Sequence, residues 1–272
     1  MSVINTNVSS LITQNALAIN SRAQSTAMQQ LSTGLRINGA KDDAAGLAIA
    51  SKMTSQIKGL DQAVRNSNDA VSMLQTADGA MSTVSDMMQR MRELAVQASS
   101  DTNVSGDRTA LQGEFSALST EIGRVAATTT WNSMNILDGS HTSGKFTFQV
   151  GADNKTDSQV TVTIAKMALP SGIHALSTIS GAQNSITDMD TAIKTLNAAR
   201  SNLGANINRL TYAADNLSNI SQNASASRSR IEDTDYAKAS TELARTQIIS
   251  QAATAMLAQA NQSQQSVLAL LK

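Results

Sequence analysis

Few residues in this chain are of a type that could do chemistry, and none has the company that chemistry needs. Asp42 and Asp43 are adjacent carboxylates that could in principle serve as general acid and base. No histidine or second acidic cluster stands near them, so they read as helix-start charges and caps beside the positive end of the next helix. The two histidines, His141 and His174, have no acidic cluster of metal-ligand spacing nearby, and the chain has no cysteine. They therefore read as loop residues and not as zinc ligands or members of a catalytic triad. The stretch GLRINGAKDDAAG, 34–46, is glycine-rich but lacks the Lys-Ser/Thr ending that would hold phosphate and magnesium. Asn-x-Ser/Thr triplets at Asn7, Asn103 and Asn223 carry no weight in a chain so rich in Asn and Ser. The methionines recur at helical seam positions and read as core filling, not as cofactor ligands. No cofactor is implied and no enzyme is expected.

The elements that hold these residues are long helices. Of 272 residues 41% are hydrophobic but only 2% are aromatic, so a core of interlocking rings gives way to Ala, Leu, Ile, Val and Met seams between helices. One proline, Pro170, leaves little to interrupt them. A formal net charge of zero offers no bulk attraction to nucleic acid or anionic lipid. The first positive charge is Arg22, with no basic segment ahead of an apolar core, so a cleaved secretory signal is not expected.

The two ends have an unusual character. Ile249, Ala253, Met256, Ala260, Ser263, Val267 and Leu270 recur at three and four spacing, one stripe of a helix within a run, 246–271, that carries no charge yet is full of Gln, Asn, Ser and Thr. Such a run is too polar to span a bilayer, and neutral amides can be satisfied at a protein interface where a lone charge is costly. At the other end Ile4, Val8, Leu11 and Ala18, with Ile12, Ala16, Ile19 and Ala23, mark a second apolar helical spacing in an uncharged stretch, 1–21. If helical from about Val3 to Leu35 this arm is roughly 50 Å long. Two ends of matched length and character are expected to lie side by side, which makes the chain a hairpin.

Between the arms, 34–45 reads as a joint. A heptad seam then runs through Ala50, Met53, Ile57, Leu60, Val64, Ser67, Val71, Leu74, Asp78 and Met81. It continues with one shortened step through Val84, Met88, Met91, Ala95 and Ala98, predicting one helix to about Ser99. Leu111, Phe115, Leu118, Ile122 and Val125 predict a shorter helix folding back on it. KFTFQV, 145–150, and SQVTVTI, 158–164, alternate as a β-hairpin at the far end of the body, closed by Pro170 and Gly172. Helix resumes near Ile179 along a seam from Ile186 to Ser227 with a shortened step from Leu217 to Ile220, and SRSRIEDTD, 227–235, reads as a second joint. In that seam Arg200 is expected to lay its stem along the groove and reach outward. The patch QRMRELAVQ, 89–97, reads on residues alone as the solvated back of the long helix. The expected fold is mainly α, long antiparallel helices in a coiled-coil hairpin bundle with one small β-hairpin. An inner terminal domain of residues 1–40 plus 235–272 joins a helical body of residues 41–234.

INTNVSSLITQNAL, LSTGLRINGAKDDAAGLAIASKM, QRMRELAVQAS and SRIEDTDYAKASTELARTQIISQAATAMLAQANQSQQSVLALL together closely resemble bacterial flagellin, in the family's order and over nearly the whole chain. The resemblance implies a filament subunit whose terminal arms line the core, while the helical body forms the surrounding tube. Only a short loop around Pro170 stands where most relatives carry outer domains. The subunit interface is then expected at Ile4, Val8, Leu11, Ile12, Ile19, Ile249, Ala253, Met256, Ala260, Val267 and Leu270. The resemblance also implies export through the flagellar type III channel, an export chaperone on the C-terminal arm, a filament cap and hook-associated partners, and an extracellular location. Arg90, Leu94 and Glu114 match the positions through which some relatives meet a host Toll-like receptor. Met91 stands where the family usually has Val or Ile, and WNSMN, 131–135, replaces the usual Phe-Asn-Gly. Two other readings are a hook-filament junction protein, which shares such arms but caps growth, and a cytosolic coiled-coil signalling module, which leaves the β-hairpin and the uncharged ends unexplained.

Overall fold

The computed structural model describes residues 6–167 and 175–269, with side chains through Ser263 in the last helix. Pro170, Gly172 and His174 lie outside the described residues, as does Ile4. The helices are α1 (Val8–Thr33), α2 (Ala44–Ala98), α3 (Ser105–Thr128), α4 (Ile179–Glu232) and α5 (Tyr236–Ala269), and the strands β1 (Thr130–Trp131), β2 (Met134–Asn135), β3 (Lys145–Gln149) and β4 (Gln159–Thr163). The chain is mainly α, as its periodicity predicts. It divides into two compact units, residues 1–55 with 223–272 and residues 56–222, and α2 and α4 contribute residues to each.

In the first unit α1 packs against α5. The pairing is antiparallel: Asn7 Nδ2 donates to the Ala260 carbonyl at 3.2 Å and Asn20 Nδ2 to that of Thr246 at 2.7 Å. α1 starts later than expected, because Asn7 caps it by accepting from the Ser10 amide, and stops at Gly34, whose φ of 73° ends the helix with an N–H to the Gln30 carbonyl. The second joint is shorter than SRSRIEDTD suggests, since α4 runs to Glu232 and only 233–235 are non-helical. The two joints bind each other: Leu35 bridges Asp233, the Thr234 amide donates to the Gly34 carbonyl, and the Arg36 and Ile37 amides donate to that of Glu232. Asp42 accepts from the Asn38 and Gly39 amides, Asp43 caps α2 through the Gly46 amide, and Asp235 caps α5 through the Ala237 and Lys238 amides. The adjacent carboxylates at the first joint are thus occupied in folding it.

In the second unit α3 and α4 both run antiparallel to α2. Arg108 Nε donates to the Ala98 carbonyl and Arg90 reaches Glu114 on α3, while on α4 Asp190 pairs with Arg92 and Arg200 with Asp78. The α2 seam is buried at Ser67, Ala70, Leu74, Ala77, Met81, Val84, Met88, Met91, Ala95 and Ala98, strict three and four spacing from Ser67 on. The shortened step therefore lies at Leu60 to Ala63, where two steps of three follow one another from Ile57, and not at Met81 to Val84. Asp78 is no seam residue: it is half-exposed and receives Arg200 Nε at 2.8 Å, which is how Arg200 reaches out of the groove. On α4 Ser221 faces inward and donates to Asp61, whereas Ile220 is exposed, so the shortened step expected after Leu217 is absent.

β3 and β4 pair antiparallel from Lys145↔Thr163 to Gln149↔Gln159, turning Phe146, Val160 and Val162 into the core. This hairpin lies beside the middle of α2, not at a far end: Asn66 Nδ2 donates to the Gln149 carbonyl and Gly59 faces Ala152. A second two-stranded ladder, absent from the sequence reading, pairs Thr130↔Asn135 and Trp131↔Met134. Its turn residues Asn132 and Ser133 both take positive φ, the backbone of a tight two-residue hairpin.

Candidate subunit interface

The contact between α1 and α5 mixes four leucines with small and polar residues. The inward stripe of α1 passes through Ser10, Thr13, Leu17, Asn20, Gln24, Ala27 and Leu31, and that of α5 through Ala239, Leu243, Thr246, Ser250, Ala253, Leu257 and Ala260. The buried members are Ser10, Asn20, Ala27, Ala239 and Thr246, all small or polar. Small residues let two helices approach, and each buried amide or hydroxyl is satisfied: Asn20 by the Thr246 carbonyl, the Thr246 hydroxyl by the Leu243 carbonyl. Leu17, Leu31, Leu243 and Leu257 are half-buried between the two helices, and the β-branched aliphatic residues are left on the outside.

Of the expected interface residues, Val8, Leu11, Ile12 and Ile19 on α1 are exposed, Ile12 by 65%. Ile249 and Met256 on α5 are exposed, while Ala253 and Ala260 are half-buried in the α1–α5 contact. Ile4 and the side chains of Val267 and Leu270 lie outside what is described. Met28 and Ile248, the latter 66% exposed, join the outward faces and were not picked out from the sequence. Nor were Asn7, Asn20 and Thr246. Their signal was a three and four repeat of small and polar residues, which a search for large apolar side chains passes over.

The other expected surface is on α2. Arg90 donates to two carboxylates, through Nε to Glu114 at 3.0 Å and through Nη1 to Glu93 at 3.1 Å, and these hold its guanidinium above its ordinary pKa, Glu114 first. Leu94 is only 1% exposed and belongs to the core. Arg90 and Glu114 therefore face solvent together without it. His141 stacks on Phe146 with ring centroids 4.7 Å apart, and among the described residues no group of His, Cys, Asp and Glu could hold a metal ion. An apolar cavity of about 250 Å³ beside Met88, Met167 and Leu196 has Lys166 as its one ionisable lining residue, which gives no acid–base pair. No helix among the described residues is long and apolar enough to cross a membrane.

Two family models match this chain, the bacterial flagellin N-terminal helical region over residues 4–142 and the bacterial flagellin C-terminal helical region over residues 186–271. A flagellin of Halalkalibacterium halodurans is 45% identical over 99% of this chain and 100% of its own length. Flagellin C of Vibrio cholerae serotype O1 is 34% identical over 98% of this chain and 99% of its own. Among solved structures, the crystal structure of Bacillus cereus flagellin aligns with a TM-score of 0.50 and 32% identity, covering 56% of this chain and 88% of that one.

Proposed function

The chain belongs to the bacterial flagellin family, and from that premise we propose that the outward aliphatic faces of α1 and α5 are the surfaces through which copies of it join. It is a structural subunit of the flagellar filament and not an enzyme. The observation that carries the interface is the outward face just described, in which the helix pair fully buries only small and polar residues, half-buries Leu17, Leu31, Leu243 and Leu257, and leaves Val8, Leu11, Ile12, Ile19, Ile248 and Met256 to water. Exposed aliphatic residues lined up along two paired helices call for burial by other copies, since apolar area removed from water stabilises by about 25 cal/mol per Å². In the assembled filament the terminal domain, 1–40 with 235–272, lies at the core and the body, 41–234, around it, outside the cell. A junction protein that caps growth and a cytosolic signalling module are less favoured, because the relatives are flagellins along their whole length.

Removing residues 251–272 tests the interface. The truncated chain should fail to elongate filament seeds, seen by electron microscopy, while residues 56–222 keep their thermal transition. Long filaments from the truncated chain would refute it. The same truncation should abolish binding of the flagellar export chaperone that we place on the C-terminal arm, on the path to the type III export channel and the cap and hook-associated proteins. For a host Toll-like receptor the exposed pair Arg90 and Glu114 is the proposed contact, with Leu94 supporting it from inside. Arg90→Ala should lower the response of receptor-bearing reporter cells to soluble protein, and an unchanged response would dismiss that surface.

A further inference from the structure

We infer that Asn20 is a positioning residue that chooses which faces of the two arms meet, and so keeps the aliphatic faces available to other copies; this rests on the interface proposed above. The arms have two ways to pair. Turned as they are, they bury Ser10, Asn20, Ala27, Ala239 and Thr246. Rotated about their axes, they would join Ile19 to Ile248 and satisfy their own hydrophobic surface within one chain. Area burial does not decide between them, because the first arrangement half-buries Leu17, Leu31, Leu243 and Leu257 where the second would cover Ile19 and Ile248. A chain paired that way would have less aliphatic surface left to offer a filament.

Asn20 discriminates between the two. Its side-chain amide is 8% exposed and donates to the Thr246 carbonyl at 2.7 Å across the helix pair, next to a Thr246 side chain that is fully buried. Thirteen residues earlier Asn7 makes the same kind of bond to the Ala260 carbonyl, 3.2 Å long. A single polar residue in a helix seam is known to fix register and partner geometry, since any other alignment leaves its amide without a partner or moves it out of the seam. The joint at Leu35 and Asp233 already fixes how far the arms slide, so what remains for Asn20 to set is their rotation.

The absence of cysteine makes this testable by disulfide trapping in the full-length protein. One pair, Ala27→Cys with Ala239→Cys, stands seven residues on from Asn20 and seven back from Thr246, on the inward faces. The other, Ile19→Cys with Ile248→Cys, stands level on the outward faces. Only bonds within one chain are counted, as oxidised species at monomer mass on a denaturing gel, in soluble protein and in polymer. With Asn20 present the inward pair should trap and the outward pair should not. Asn20→Ala and the near-isosteric Asn20→Asp, which cannot donate when ionised, should each let the outward pair trap. Each should also raise the critical concentration for elongation of seeds roughly threefold to tenfold, the range one net hydrogen bond spans. Inward trapping alone with an unchanged critical concentration in both variants would overturn the inference. So would loss of both disulfides, because the amide would then be holding the arms together and not selecting a face. If the chain with Asn20 intact fails to elongate seeds, it is the interface reading that falls.

Discussion

At the scale of single residues, the sharpest feature outside the arms is Asp138, which closes the loop after β2. Its carboxylate accepts from the Ser140 amide at 2.9 Å, the Ser140 hydroxyl at 2.7 Å and the Asn135 side-chain amide at 3.0 Å. These bonds, the Ser140 amide first, hold its pKa below the ordinary aspartate value. A carboxyl depressed in the folded state contributes stability that is fully present above the unfolded value of about 3.9 and is lost as pH falls through the folded one. Carbon-detected NMR titration should find the Asp138 midpoint below that of an unstructured aspartate, and Ser140→Ala should move it back up. An unshifted midpoint would mean these bonds do not persist in solution. Leu94 makes the complementary point. On the sequence it sits in a charged patch beside Arg90, and only the packing of the folded chain places it in the core, because a helix with more than one packed neighbour has no single solvated back.

At the scale of elements, the long helices and the β3–β4 hairpin were legible because their patterns are long and their residue types decide between periods of 3.6 and 2. What was not legible was which of two adjacent stripes faces inward. On α2, Val71 and Asp78 compete with Ala70 and Ala77, and a reading weighted toward large side chains chooses the wrong column at Asp78. Only the partner helix decides, by presenting Arg200 to Asp78. The same bias put Ile220 in the α4 seam in place of Ser221, which is held inward by Asp61. On α5 it singled out Ile249 and Met256, which are exposed, and passed over Thr246 and Ser250, which face α1. The β1–β2 ladder was missed because two residues per strand give no period, and its only signal is the Asn132–Ser133 turn. The α4 seam gives a direct check. Leu210→Ala, at a position with no exposure, should lose about 2–5 kcal/mol in urea denaturation of the soluble protein, while Ile220→Ala should stay within about 0.5 kcal/mol. Equal losses would restore Ile220 to the core.

At the scale of the whole molecule, burial is unevenly shared between the two units. Residues 56–222 hold one continuous core from Ala70 to Leu210, with Phe115, Leu137 and Phe146 among its fully or nearly buried members. Among the described residues of α1 and α5 the fully buried apolar ones are two alanines, Ala27 and Ala239. Ordering a residue costs about 1–2 kcal/mol of backbone entropy, and a helix pair that fully buries only small and polar residues and half-buries four leucines offsets less of it than the body core does. Opening free energies should therefore fall from the body to the arms within a single copy, and the difference should close when copies assemble and cover Val8, Ile12, Ile19 and Ile248. Amide exchange followed by mass spectrometry is expected to show α1 and α5 exchanging many-fold faster than α2 and α4 in dilute soluble protein, with the arms protected in polymer. Circular dichroism of the same samples should show less helix before assembly than after. Arms as slow to exchange as the body in the lone molecule would mean that their exposed aliphatic faces cost them nothing, and would remove the physical reason for the chain to assemble through them.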